Sequence, residues 1–434
     1  MNAASRIAVL PLPRTAADLI IHNAKQLVTT SGFTQRPATG REMERLSILE
    51  DGAVAISNGK IIAVSKSSDI LDNYDAPEKI DAAGKTVTPG LIDAHTHFVF
   101  AGSRETELEL KIQGVKYLEI LQKGGGILRT VRDTRKTSKA ELLDICRKRA
   151  QNLLKHGTTT IEAKSGYGLE LQTEIKSLEV INKLNDDGPL SLAPTFLGAH
   201  AIPQEFEEKV DEYVALICEE WIPRIQQLHL ASFCDVFCEK GVFEIEESRR
   251  ILTAGKDHGL KPRIHADELY PLGGAELAAE LGASSADHLL YASDAGIERM
   301  KQAGVVATLM PAAPLTLMLG RYADARKFIS IGVPVALGSD LSPSCLLENY
   351  QLVIALACYA MKMTPAEALI AATINAAHSI KKADQIGSIE RGKKADIVIF
   401  QVPDYRFLGY QLGTNMAETV VKNGKVVVRD GRLE

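Results

Sequence analysis

Hydrophobic positions change their rhythm twice along the chain. Residues 53–64 and 419–428 each set an Asn-Gly pair, Asn58-Gly59 and Asn423-Gly424, between two short apolar runs. Asn and Gly both tolerate positive φ, so each pair predicts a two-residue type I′ hairpin and both ends of the chain read as β-rich. Between about Thr88 and Asp384 the texture shifts to short apolar runs alternating with longer amphipathic stretches, the rhythm of parallel strands joined by helices. Strands are predicted over 91–97, 158–163, 191–199, 234–237, 261–266, 284–289, 305–309 and 333–338. One intervening helix is well marked: Ser138-Lys-Ala-Glu141 forms a capping box, Leu142, Leu143, Ile145, Ala150, Leu153 and Leu154 give an apolar face, and Gly157 can end it. Eight strands alternating with helices predict an α/β fold, a closed (β/α)8 TIM barrel over 88–384, with its chemistry at the C-terminal ends of the strands. Segments 1–87 and 385–434 are expected to pair into one small, discontinuous β-sandwich domain.

The 434 residues suit this division, because a barrel takes about 250 residues and leaves room for one smaller domain. A 45% hydrophobic and 24% charged composition excludes intrinsic disorder. The net charge of −5, without long runs of one sign, offers no basic face to a phosphate backbone, so no nucleic-acid partner is expected. The uncharged stretch 303–320 contains Pro311 and Pro314 and reads as strand, loop and helix start rather than a membrane span. The apolar stretch 7–13 is short, is broken by two prolines and lacks a convincing cleavage site, so a cytoplasmic protein is expected. Cysteines 146, 218, 234, 238, 345 and 358 have neither zinc-knuckle nor thioredoxin spacing and read as buried thiols.

The candidate chemistry begins at His95-Thr-His97, at the end of the first predicted strand. Residues i and i+2 of a strand share a face about 7 Å apart, so two imidazoles there can converge on one ion. Alone the pair is weak evidence. However, His265 closes the fifth predicted strand, His288 the sixth and Asp340 the eighth, and in a barrel these ends ring one opening. His95, His97, His265 and Asp340 supply three imidazoles and a carboxylate, a ligand set suited to zinc or iron.

The entry motif, the two later histidines and the aspartate together resemble the amidohydrolase superfamily. Phe100-Ala-Gly-Ser-Arg104-Glu, Gly124-Gly-Gly-Ile-Leu, Gly157-Thr-Thr-Thr, Lys164-Ser-Gly-Tyr167-Gly, Phe196-Leu-Gly-Ala-His200-Ala-Ile-Pro, Ile264-His265-Ala-Asp267-Glu268 and Leu272-Gly-Gly-Ala-Glu-Leu-Ala resemble the imidazolonepropionase family within it. The resemblance runs from about residue 87 to 290, and Thr373-Ile-Asn-Ala-Ala extends it. It implies metal-dependent opening of the cyclic amide of 4-imidazolone-5-propanoate to N-formimino-L-glutamate, a small-molecule substrate, and a homodimer. Arg104 would grip the propionate as a bidentate fork, Tyr167 and His200 would hold ring and chain, and Glu268 would hydrogen-bond the ring nitrogens or shuttle protons. Asp340 would act as general base, and His288 would position the water or stabilise the oxyanion. In two-metal relatives a barrel lysine is carboxylated to bridge the ions. Lys164 is expected on the exit loop of the second strand in a structural role, leaving one zinc or iron ion per chain.

The resemblance breaks after the aspartate. The family usually reads Asp-Phe-Asn-Pro-Gly-Ser, whereas Asp340 is followed by Leu341-Ser342-Pro343-Ser344-Cys345. Ser342, Ser344 and Cys345 are therefore expected to contact substrate with an altered grip. Met310-Pro-Ala-Ala-Pro-Leu-Thr likewise replaces a Pro-Gly-Thr-Thr-like turn. A related deaminase or cyclic amidase acting on another small carboxylated heterocycle is the second reading. A non-catalytic scaffold is the third, and the complete ligand set argues against it.

Overall fold

A computed structural model describes residues 14–115 and 125–434. The apolar stretch 7–13 and Gly124 lie outside these residues. The predicted apolar runs form eight parallel strands: β1 (Leu91–Asp93), β2 (Thr158–Lys164), β3 (Ser191–Ala199), β4 (Phe233–Cys238), β5 (Lys261–Ala266), β6 (Ser285–His288), β7 (Val306–Leu309) and β8 (Val335–Leu337). They pair in parallel and in sequence order, and parallel neighbours need the crossover connections that the intervening helices supply. Backbone bonds close the ring between its first and last members: Ala94 N donates to Leu337 O at 3.3 Å, Asp340 N to His95 O at 3.1 Å and His97 N to Leu341 O at 2.9 Å.

Two strand ends differ from expectation. Regular structure stops at Asp93 in β1 because Asp93 turns its carboxylate onto neighbouring backbone, accepting from Ser339 N at 2.9 Å and His95 N at 3.4 Å. His95 and His97 therefore follow the strand and are held by the bridge between Thr96 and Leu341. Lys164 is the last, fully buried residue of β2, not part of the exit loop; its side chain is held inside the ring by the carboxylates of Glu162, on the same strand, and Asp235, on β4.

The marked helix spans Lys139–Lys155, with the Ser138/Glu141 capping box formed, and Gly157 follows it at φ +90°. Stretch 303–320 resolves into β7 and the short helix Ala312–Thr316. Among the described residues no helix is long and apolar enough to cross a membrane, and all six cysteines are unpaired.

Strands from both chain ends build a seven-stranded sheet (Arg432–Leu433, Lys425–Arg429, Ala417–Lys422, Ile397–Phe400, Thr86–Pro89, Gln26–Val28, Ile48–Leu49), and N-terminal strands alone build a four-stranded sheet (Lys60–Lys66, Gly52–Ser57, Leu19–Ala24, Glu78–Asp81). One apolar cluster with Leu19, Ile21, Val54, Ile56, Ile397, Ile399 and Val421 draws on both. Both Asn-Gly hairpins are present, with Asn58 and Gly59 at φ +51° and +74° and Asn423 and Gly424 at +49° and +76°, as a type I′ turn requires. Their tips meet: Ala395 N donates to Gly59 O at 2.9 Å, and Gly424 N donates to Ala395 O at 3.0 Å.

Candidate active site

The segments following the strand ends surround a cavity of about 380 Å³. His97, His265, His288 and Asp340 line it, together with Arg104, Tyr167, His200, Glu268, Ser342 and Ser344. His95 sits beneath them, fully buried. The backbone of β8 can come this close because residue 338 is glycine; a Cβ there would lie 2.6 Å from His95 Cβ. Asp267, His288, Leu289 and Asp340 adopt positive φ, a conformation that costs about 1–3 kcal/mol per residue and tends to mark functional sites.

Three imidazoles meet edge to edge. His95 Nε2 lies 3.4 Å from His97 Nε2, which lies 3.2 Å from His265 Nε2. Asp340 Oδ1 is 3.7 Å from His95 Nε2 and 3.5 Å from His97 Nε2. On the far side of the rings, His95 Nδ1 is 2.7 Å from Asp287 Oδ2 and His265 Nδ1 is 3.2 Å from Asp235 Oδ1. Burial opposes ionisation of these two carboxyls, but their surroundings outweigh it: the Lys164 ammonium and the hydrogen bond from His265 hold Asp235, and Arg263 and Lys164 hold Asp287, below the usual range. Ionised carboxylates only accept, so each Nδ1 carries the proton and each Nε2 keeps a lone pair. Burial also holds His95 and His97 well below the ordinary histidine value, so protons do not separate the facing lone pairs. Two overlapping groups of these side chains, His95 with His97 and Asp340 and His95 with His265 and His288, could each hold a metal ion.

The other expected residues surround this centre. Arg104 is buried and donates from Nε to Thr130 Oγ1 at 2.8 Å; its guanidinium carbon lies 6.0 Å from the Tyr167 ring centre. His200 stacks on His97 with ring centres 4.6 Å apart and donates from Nδ1 to Gly166 O at 2.9 Å. Burial pushes it down to about 3, so its ring is neutral. Glu268 lies 3.4 Å from His288 Nδ1. Burial, with Asp340 and Glu239 nearby, pushes its carboxyl well above the usual range, which favours the protonated, hydrogen-bond-donating form. Burial likewise pushes Asp340 up to about 7.

Ser342 and Ser344 face each other at 3.2 Å across a tight turn. Cys345, expected among the substrate contacts, stands apart from the two serines. It is buried outside the cavity lining, and its thiol donates to Ser339 O at 3.5 Å because the turn folds it inward. Lys111, half-buried in the cavity wall, was missed, as was the charged group of Glu162, Asp235, Arg263 and Asp287 under the histidines. Alternation was the available signal: Glu162 and Lys164, and Arg263 and His265, stand two apart on strands and share a face.

A model of the amidohydrolase family matches residues 86–427. An imidazolonepropionase of Geobacillus kaustophilus is 52% identical over 420 residues, 96% of this chain and 99% of that one. One of Parabacteroides distasonis is 47% identical over 411 residues, 94% and 98% of the two chains. A zinc-bound adenosine deaminase from Xanthomonas campestris shares the fold, with a TM-score of 0.72 at 20% identity over 97% of this chain and 95% of that one. Near full-length identity of this order, on a barrel whose mouth gathers the expected histidines and aspartate, means that the chain belongs to the amidohydrolase family and, within it, to the imidazolonepropionases.

Proposed function

We propose that the protein hydrolyses the cyclic amide C–N bond of 4-imidazolone-5-propanoate to N-formimino-L-glutamate in histidine degradation. The observation that carries this reading is the meeting of three imidazole Nε2 atoms and the Asp340 carboxylate beside a cavity walled by Arg104. His95, His97, His265 and Asp340 would hold one zinc or iron ion per chain. Bound there, the ion would lower the pKa of water to about 7 and polarise the amide carbonyl.

The chain's own groups do the rest. Arg104 has its Nε engaged by Thr130, which aims the two terminal nitrogens as a fork for the propionate. Tyr167 and the neutral His200 flank ring and chain, and the Ser342 and Ser344 hydroxyls add donors at the rim. Protonated Glu268 donates to a ring nitrogen. Asp340 takes the proton of the attacking water and returns it to the ring nitrogen as the C–N bond breaks, so the carbonyl carbon becomes the new carboxylate. His288 orients the water and offers an N–H to the developing oxyanion.

Residues 88–384 act as the catalytic barrel, and segments 1–87 and 385–434 as one β-sandwich unit; the apolar cluster shared by strands from both ends supports this division. Six unpaired cysteines support a reducing, cytoplasmic setting, and the family likeness supports a homodimer. The test is to incubate purified protein with imidazolone propionate and follow loss of ring absorbance with and without a chelator. Turnover that chelation abolishes and metal restores is expected. No turnover, with activity on another carboxylated heterocycle, overturns the assignment.

A further inference from the structure

Beneath the histidines lies a charged group that the reaction scheme leaves without a task. Glu162, Lys164, Asp235, Arg263 and Asp287 project from β2, β4, β5 and β6, and none has more than 1% of its surface exposed. Lys164 Nζ lies 3.0 Å from Glu162, 2.7 Å from Asp235 and 3.9 Å from Asp287. Arg263 donates from Nη2 to Asp287 at 3.1 Å and to Ala94 O at 2.8 Å. Glu162 accepts from Thr96 N at 3.2 Å and, through its carbonyl, from the Thr96 hydroxyl at 2.6 Å.

We propose that Lys164 and Arg263 are positioning residues, a buried cation pair that fixes Asp235 and Asp287 behind His265 and His95 and so decides which ring nitrogens face the ion. The inference rests on the metal reading above. Its physical basis is that desolvating five charges is costly, and apolar residues of similar volume would fill a barrel floor at least as stably. What apolar residues cannot do is hold a carboxylate at each Nδ1 and lock the tautomer. Every member of the group reaches the metal histidines by one further contact: Lys164 through Asp235 to His265, Arg263 through Asp287 to His95, and Glu162 through Thr96 to the backbone between His95 and His97. Carboxylating Lys164 would place an anion among three carboxylates, so the side chain serves as a cation and not as a bridge between two ions.

The test compares wild type, Lys164→Met and the charge-conserving Lys164→Arg. Each is loaded with Zn2+ or Co2+, and affinity is read by chelator competition and coordination by the visible absorption of Co2+. Lys164→Met is expected to bind about 10–100-fold more weakly, the usual effect of losing a group behind a metal ligand, with an altered Co2+ spectrum. Lys164→Arg, which keeps a cation against Asp235, should hold affinity and spectrum closer to wild type, which a packing role alone would not favour. A folded Lys164→Met with wild-type affinity and spectrum overturns the proposal. So does a folded Lys164→Arg as weak as Lys164→Met. If Lys164→Met does not fold, a folded Lys164→Arg with near wild-type affinity and spectrum supports the proposal, and one that is also unfolded overturns it. Wild type that binds neither ion would instead sink the metal reading itself.

Discussion

Replacing Arg104 by lysine keeps the charge and removes the fork. Arg104 spends Nε on Thr130 at 2.8 Å, and being 7% exposed it has little solvent to compensate for a lost partner. Lysine would bring a single ammonium without the Thr130 anchor, so one charge-assisted hydrogen bond to the substrate carboxylate is lost. Such a bond contributes about 1.5–3 kcal/mol, and about 1.4 kcal/mol corresponds to a factor of ten, so KM should rise by roughly 10–100-fold. The contact is remote from the C–N bond and similar in ground and transition states, so kcat should change little. Steady-state kinetics on imidazolone propionate read both constants, and an analogue with a carboxamide in place of the carboxylate supplies the control. Wild type and Arg104→Lys should handle the carboxamide alike. An unchanged KM, or an equal loss on both compounds, would refute the carboxylate contact.

Asp340→Asn should lower kcat by at least about 100-fold, the scale of general-base catalysis, while elemental analysis finds much of the metal retained; full kcat would remove Asp340 from the base role. Glu174, fully buried, accepts from the backbone N–H groups of Gly166, Gly168 and Leu169 at 2.8–2.9 Å and so shapes the loop carrying Tyr167. Glu174→Gln should raise KM about tenfold through loss of charge-assisted bonds, and unchanged KM would show that the loop holds itself. Gly424→Ala puts a Cβ 2.8 Å from Gly59 Cα at φ +76°, so the hairpin contact should lose about 2–4 kcal/mol. A lower thermal midpoint with unchanged kcat in the folded protein is the expected result, and an unchanged midpoint would mean the tips do not couple the sheets.

Local patterning was enough for the elements. The barrel strands, the Lys139–Lys155 helix with its capping box and the two type I′ turns rest on neighbouring residues: alternation, a cap three residues from its partner, or two residues able to take positive φ. His95, His97, His265, His288 and Asp340 were legible for the same reason, since each stands where an apolar run ends. Only the tertiary structure showed what stands behind them. His95 meets Asp287 across 192 residues of sequence and His265 meets Asp235 across 30, and no spacing rule spans such distances. Nor could the run 91–97 reveal that Asp93 would bind Ser339 and end the strand early, or Ser342–Cys345 that its turn would bury the thiol. Lys164 illustrates the division best. Its place beside the second strand was readable, but whether it faced solvent or four other buried charges depended on barrel closure, because a local sequence records which face a side chain takes and ring closure alone decides what that face meets.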